Sequence, residues 1–251
     1  MSPAETNANA VFTADWHLPA EHTEHTEFFG RFLDEVCSNA PRLFILGDLF
    51  NAWVGPRDAA RPGHKAVLEA LARLADGGTR VTVLRGNRDF LLDRKIARSY
   101  RFKLGSNVWR GSLAGLAIRA SHGDELSRND RFHKMARYLC EHFPLSTLVK
   151  AAPLWLSDKL ADGYRGAANL RHSRRKRTKV EPDTARLRAE FESGTDTVVI
   201  GHWHRPELQT DALGLTGKTL VRLGECTDRR ASYARPSGNT FKLCTFPRPD
   251  E

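Results

Sequence analysis

Residues 43–48 read LFILGD, residues 80–87 read RVTVLRGN, and residues 66–78 between them read AVLEALARLADGG. The first two are short β-prone runs that break in a glycine and a polar side chain. In the third, Ala66, Val67, Ala70, Leu71 and Leu74 recur at helical spacing, and Gly77-Gly78 stop the helix. Strand, helix, strand at this rhythm predicts α/β layering. Working outward, the same kind of ending recurs. Val11 to Ala14 breaks at Asp15-Trp16-His17, Leu116 to Ala120 at Ser121-His122-Gly123, and Thr197 to Ile200 at Gly201-His202-Trp203-His204. Later in the chain, Leu208 to Thr210, Thr219 to Leu223 and Phe241 to Thr245 lie between glycine turns and read as antiparallel strands. The expected architecture is a two-sheet α/β sandwich with helices outside.

At 251 residues the chain is long enough for one large domain with an insertion. The insertion is expected at 127–190. There Phe132, Met135, Leu139 and Phe143 recur at three- and four-residue steps, and Leu145, Leu148, Leu154, Trp155, Leu156 and Leu160 follow. A basic run, RHSRRKRTK at 171–179, ends the apolar stretch; without its six Lys and Arg the net charge of +9 would be +3. The question of an anionic partner therefore rests mostly on this run. No apolar run approaches the ~18 residues of a membrane span. The first ten residues lack a basic start and an apolar core, so no secretory signal is expected. Four cysteines stand far apart with no CxxC, which fits a reducing, cytoplasmic setting and gives no structural zinc spacing.

The chemistry-bearing side chains sit at the strand ends: Asp15, His17, Asp48, Asn87, His122, His202 and His204. Successive blocks are separated by 31, 39, 35 and 80 residues. Three gaps are about one strand-helix-strand unit; the fourth, about double, contains the insertion. Strand C-terminal ends converge in α/β folds, so these loops can share one crevice. Seven nitrogen and oxygen donors suit two divalent metals, with a carboxylate such as Asp48 bridging them. The absence of thiolates favours catalytic manganese, iron or zinc over a structural zinc. Two such ions can clamp the attacking and leaving oxygens of a displacement at phosphorus. Any one block alone is ordinary surface or core chemistry; the series, each after a β run, is not.

The blocks ADWHLP, ILGDLFNAWVG, GNRDFLL, HGDELSRND and GHWHRP resemble those of the calcineurin-like metallophosphoesterases. The similarity spans about residues 11 to 206 and is sharpest, in GDLFNAW and GNRDFLL, toward the branch that hydrolyses an acylated UDP-sugar in lipid A biosynthesis. The resemblance implies a four-layer αββα sandwich with a helical cap. It implies that Asp15, His17, Asp48 and His204 hold one metal and Asp48, Asn87, His122 and His202 the other, usually manganese. It matches Arg88 and Asp130 to the branch's catalytic arginine and acid. Asn87 and His202 would also touch substrate, as would Arg171, Ser173 and Lys176 or Lys179 in the cap. The chain departs from the branch where RRKRTK replaces an asparagine-rich stretch, and where Leu223-Gly224-Glu225-Cys226 stands for LGAW.

Arg88 also has a meaning from its chemistry. A histidine after Gly-Asn, as in many relatives, can protonate an alkoxide leaving group. An arginine cannot, but it forks onto phosphate oxygens. A phosphate leaving group, with its second pKa near ~6, needs no proton. Arg88 thus favours cleavage of a diphosphate; the plainer alternative is surface pairing with Asp89 or Asp93. An apolar helical chamber followed by cations suits acyl chains and a diphosphate, and an anionic membrane surface. The expected place is the cytoplasmic side of the inner membrane, without a span. A phosphodiesterase or nuclease using 171–179 on nucleic acid is the second reading, disfavoured because it has no use for such a chamber. A non-catalytic binding protein would have no need of all seven donors. No oligomeric state follows from the sequence. His22 and His25 read as a solvated helix start, Trp16 and Trp53 as packing beside the site, and Trp203 as packing or stacking.

Overall fold

The computed structural model describes residues 9–127 and 181–247. Two sheets stack face to face. The first is six-stranded: Val11–Thr13 (β1), Arg42–Leu46 (β2), Arg80–Leu84 (β3) and Lys103–Leu104 (β4) run parallel, and Ala231–Ser237 (β10) and Thr240–Phe246 (β11) extend it antiparallel beside β1. The second has five: Val108–Leu113 (β5), Leu116–Ser121 (β6), Thr197–Ile200 (β7), Glu207–Gln209 (β8) and Thr219–Arg222 (β9), in the order β5-β6-β7-β9-β8. The helices are Glu24–Phe32 (α1), which continues as a π-helical turn to Cys37, then Pro62–Asp76 (α2), Arg94–Ser99 (α3) and Thr184–Glu192 (α4).

Side-chain alternation sorts the layers. On β2, Phe44 and Leu46 face inward; they pack with Phe12, Leu84, Ala120, Val199 and Val221 to form the core between the sheets. Leu43 and Ile45 face the other way, onto a core built with Trp16, Phe29 and Phe32 and with Val67 and Leu71 of α2. On β7 the inward residue is Val199, while Val198 and Ile200 pack under Leu187 and Phe191 of α4. The result is the expected helix–sheet–sheet–helix sandwich.

Three features depart from the sequence reading. The antiparallel reading holds for β8 with β9 and for β10 with β11, but β9 also lies parallel to β7 (Val199↔Val221), a pairing not expected. Strands β4, β5 and β10 and the helices α3 and α4 were not expected individually. His25 is not a solvated helix start: its ring stands 6.0 Å from that of Trp16, and burial pushes its pKa down. His22 is exposed, as expected.

The span from 128 to 180 lies outside the described residues, and with it Asp130, Arg171, Ser173, Lys176, Lys179 and the apolar helical pattern. Its two ends are adjacent. The Asp183 amide donates to the Leu126 carbonyl at 2.8 Å, so the chain leaves the scaffold and re-enters it at one point. Asp183 then caps α4 by accepting from the amides of Ala185 and Arg186.

Candidate metal centre

All seven expected donors are on loops that leave the C-terminal ends of β1, β2, β3, β6 and β7. Backbone bonds lace these loops together. The amides of Asp15 and His17 donate to the carbonyls of Gly47 and Asp48 (3.2 and 2.9 Å), and that of Gly201 to His122 (3.0 Å). Between the sheets, the His202 amide donates to Asp15 Oδ2 (2.8 Å), and His122 Nδ1 lies 3.1 Å from the Leu46 carbonyl. Two glycines make the approach close enough. A Cβ at Gly86 would stand 2.1 Å from Asp48 Oδ1, and one at Gly201 2.5 Å from Asp15 Oδ2.

The donor atoms of Asp15, His17 and His204 lie within 4.8 Å of one another, as do those of Asp15, Asp48 and His122. Asp15 Oδ1 is 3.4 Å from His204 Nε2 and 3.9 Å from His122 Nδ1. Asp48 Oδ2 is 3.8 Å from His17 Nδ1 and 3.7 Å from His122 Nε2. His202 Nδ1 and Asn87 Oδ1 each stand 3.2 Å from His122 Nε2. Both carboxylates therefore reach imidazoles of both groups.

The donors fit cations. Asp15 Oδ1 and His17 Nδ1 are buried without a hydrogen bond, an arrangement that costs free energy unless something positive fills it. The Asn87 amide works two ways. Turned one way, its nitrogen donates to Asp48 Oδ1 and Oδ2 at 2.9 and 2.6 Å. Turned the other, its oxygen joins them as a third acceptor, which is the donor set of a hard divalent ion. Cys226 contributes no thiolate: its Sγ lies against the Ala14 and Ser232 carbonyls, and burial pushes its pKa up to about 12.

Charge is the organising force. Burial alone would push the Asp15 carboxyl up, but the imidazoles of His204, His122 and His17 outweigh it and hold it far below the usual range. Asp48 is likewise lowered against its burial by His122, His17 and Arg88. His122 is raised to about 9 and His204 to about 10, because nearby carboxylates overcome the burial that would lower them. His17 goes the other way, to about 4, through burial first and the charge of Arg88 among other causes. The cluster binds positive charge, and metal would displace protons from it.

Arg88 belongs to this cluster. Its Nη1 donates to Asn51 Oδ1 at 2.7 Å, its Nε stands 3.7 Å from Asp48 Oδ2, and its amide donates to Asp48 Oδ1 at 2.9 Å. The surface pairing with Asp89 or Asp93 is not made. Asp89 is buried, accepting from the amides of Gly86 and Leu49 (2.7 and 2.8 Å), and Asp93 caps α3. Trp16 and Trp53 are fully packed, and Trp203 packs edge-on to His202.

Three supporting residues were not read from the sequence. Asn51 orients Arg88, Asp89 ties the Gly-Asn loop to the Gly-Asp loop, and Glu225 Oε2 stands 3.3 Å from His204 Nδ1. Asn51 lies within ILGDLFNAWVG, and Glu225 stands in Leu223-Gly224-Glu225-Cys226, where the branch has LGAW. Neither has a spacing signal, because each acts through another side chain.

Layering, loop placement and donor set define a metallophosphoesterase. The chain belongs to the calcineurin-like phosphoesterase family, whose model matches residues 8–206. It is a metal-dependent hydrolase. Curated relatives similar to it carry a more specific name. The UDP-2,3-diacylglucosamine hydrolase of Stenotrophomonas maltophilia is 32% identical over 246 residues, covering 95% of this chain and 98% of its own. Those of Pseudomonas paraeruginosa and Pseudomonas aeruginosa are 34% and 32% identical over 249 residues, covering 95% of this chain and 99% of theirs. No helix among the described residues is long and apolar enough to cross a membrane.

Proposed function

We propose that the chain hydrolyses the diphosphate bond of UDP-2,3-diacylglucosamine, giving UMP and 2,3-diacylglucosamine 1-phosphate for lipid A biosynthesis. The observation that carries this is Arg88: a guanidinium packed into the donor cluster, where an enzyme for poor leaving groups needs a proton donor. The curated relatives support the same substrate.

In this reading Asp15, His17, Asp48 and His204 hold one divalent ion, and Asp48, Asn87, His122 and His202 the other. Manganese is the proposed metal, given imidazole, carboxylate and amide donors without thiolate. Such ions neutralise phosphoryl oxygens and activate water. The chain's own residues do the rest. Arg88, held by Asn51 and side-chain 12% exposed, offers its remaining guanidinium donors to the diphosphate. Asp89 fixes the two loops so that this fork does not drift. Asp130 is the proposed acid beyond the His-Gly-Asp block. Of the insertion expected at 127–190, residues 184–190 belong to α4, which packs on β7; the part before Asp183 is the proposed cap, with its apolar residues for the acyl chains and Arg171, Ser173, Lys176 and Lys179 for the polar part of the substrate. Its apolar and cationic character supports peripheral attachment to the inner face of the inner membrane.

The test is UMP release by the manganese-loaded protein from the acylated UDP-sugar, beside a generic phosphodiester. Arg88→Ala should lower turnover by about 100-fold or more with metals still bound. Arg88→Lys should recover part, since it keeps charge but loses the fork. Arg88→His should raise activity on diesters with poor leaving groups relative to the diphosphate. Parent-like hydrolysis of the acylated substrate by all three variants would sink the leaving-group argument.

A further inference from the structure

At the far end of the first sheet from the metal centre, a cavity of about 590 Å³ opens where the starts of β2, β3 and β4 and the C-terminal end of α2 meet Trp109 of the second sheet. Arg42 and Arg80 are the first residues of β2 and β3, whereas the metal donors follow their last; a five-residue strand separates the two places by roughly 13 Å. Arg42 and Arg80 are direct partners across the parallel pair, so both guanidiniums leave the same face. Lys103 opens the neighbouring strand, and Arg101 stands beside it, paired with Asp76. Among the described residues, four cations thus line the cavity against one carboxylate, which already has its partner.

Among the described residues, the side chains of Arg42, Arg80 and Lys103 make no hydrogen bond or ion pair. Like charges set opposite each other across a sheet are destabilising. Partial burial pushes the Arg42 pKa down, and the charge of Arg80 adds to it. The opposing lip, from the second sheet, is aromatic. Trp109 leans on Phe44 with ring centroids 4.6 Å apart. It is held there by the bare Gly111, where a Cβ would come within 2.5 Å of the indole. Cations on one lip and a pre-positioned indole on the other, around a volume within the range of small-molecule sites, define a ligand with two parts: phosphate and a flat ring.

We propose that this inter-sheet cleft binds a mononucleotide, its phosphate on Arg42, Arg80 and Lys103 and its base against Trp109. The site is separate from the metal centre and does not depend on the substrate proposed for it.

The test is calorimetric titration of the purified chain with AMP, ribose 5-phosphate and inorganic phosphate at low salt. Asp48→Ala serves as background, so that binding at the metal centre is suppressed. AMP should bind there, and at least 10-fold more tightly than ribose 5-phosphate or inorganic phosphate. Arg42→Ala/Arg80→Ala, two partly or fully exposed positions, should weaken AMP at least 10-fold in the same background. In otherwise native protein it should leave metal content unchanged. Equal affinity for AMP and inorganic phosphate would overturn the aromatic half of the site. Loss of AMP binding in Asp48→Ala alone, or its indifference to the double substitution, would overturn the site itself.

Discussion

Gly86→Ala adds one methyl group at the closest approach of two loops, and the structure sets its effect. The new Cβ would stand 2.1 Å from Asp48 Oδ1 and 2.3 Å from the Asp48 amide nitrogen. Ordinary contact needs 3.4 Å or more, so relieving the clash with the amide nitrogen requires the loops to part by roughly 1.1 Å. A side-chain oxygen can swing away, but the amide nitrogen cannot, because it is backbone. Parting strains the bonds that hold the loops: Gly86 and Leu49 amides to Asp89 (2.7 and 2.8 Å) and the Arg88 amide to Asp48 (2.9 Å). Overpacking of this kind costs about 1–3 kcal/mol of stability. Displacing a metal carboxylate by about 1 Å should cost turnover on the order of 100-fold. The assay is a thermal melt, a metal analysis and a turnover measurement on one preparation. Gly30→Ala is the control: it lies within α1 with nothing within 4 Å of its Cβ, and should stabilise by about 0.5–1 kcal/mol. If Gly86→Ala melts with the parent and keeps its metals and rate, the loops are not in the contact described.

Glu225→Ala removes the carboxylate 3.3 Å from His204 Nδ1 and should weaken one metal site by about 10- to 100-fold, read by metal titration, with the melt of the metal-free protein little changed. Asp48→Ala should lose both ions, since Asp48 Oδ2 reaches His17 and His122 alike; two tightly held ions in that variant would refute a shared carboxylate. His64 is buried against Phe50 and Trp53, and burial holds its pKa down to about 4. The unfolded chain, with an ordinary histidine near ~6.5, then binds more protons than the folded one between those values, so stability falls as pH drops through that window. The loss should reach about 2 kcal/mol at pH 5, and in His64→Gln the difference in melting temperature between pH 8 and pH 5 should shrink accordingly.

The parallel core was legible because its strands are short, apolar and end in glycine-marked polar turns; β3 and β7 lie where the residues placed them. The edges were not. In β5, VWRGSL, a glycine and an arginine interrupt the alternation, and among the described residues the strand pairs only with β6. In β10, Pro236 speaks against a central strand, yet β1 pairs with Tyr233 and Ala234; Pro236 lies beyond it, where among the described residues β10 has β11 as its sole partner and can spare the missing donor. The parallel pairing of β9 with β7 left no trace because neighbours in sequence suggest hairpins, which β9 does form with β8, whereas its pairing with β7 skips over β8.

The convergence of these polar side chains at the strand ends was legible for the opposite reason: five of the seven break local rules. Asp15, His17, Asp48, His202 and His204 all have positive φ, between 48° and 70°. Asp and His are among the few side chains that tolerate this region, and such conformations persist only where the surroundings over-determine them. Here the surroundings are the backbone bonds from Asp15 to Gly47, His17 to Asp48 and His202 to Asp15 Oδ2. A polar residue that can sit in a left-handed turn after a β run is therefore what the loop demands and what a metal would use, and it leaves a sequence trace. Asn51 and Glu225 meet no backbone demand of this kind. They orient Arg88 and His204 from ordinary positions, and a requirement imposed only through a neighbour's side chain leaves no periodicity or spacing by which to find it.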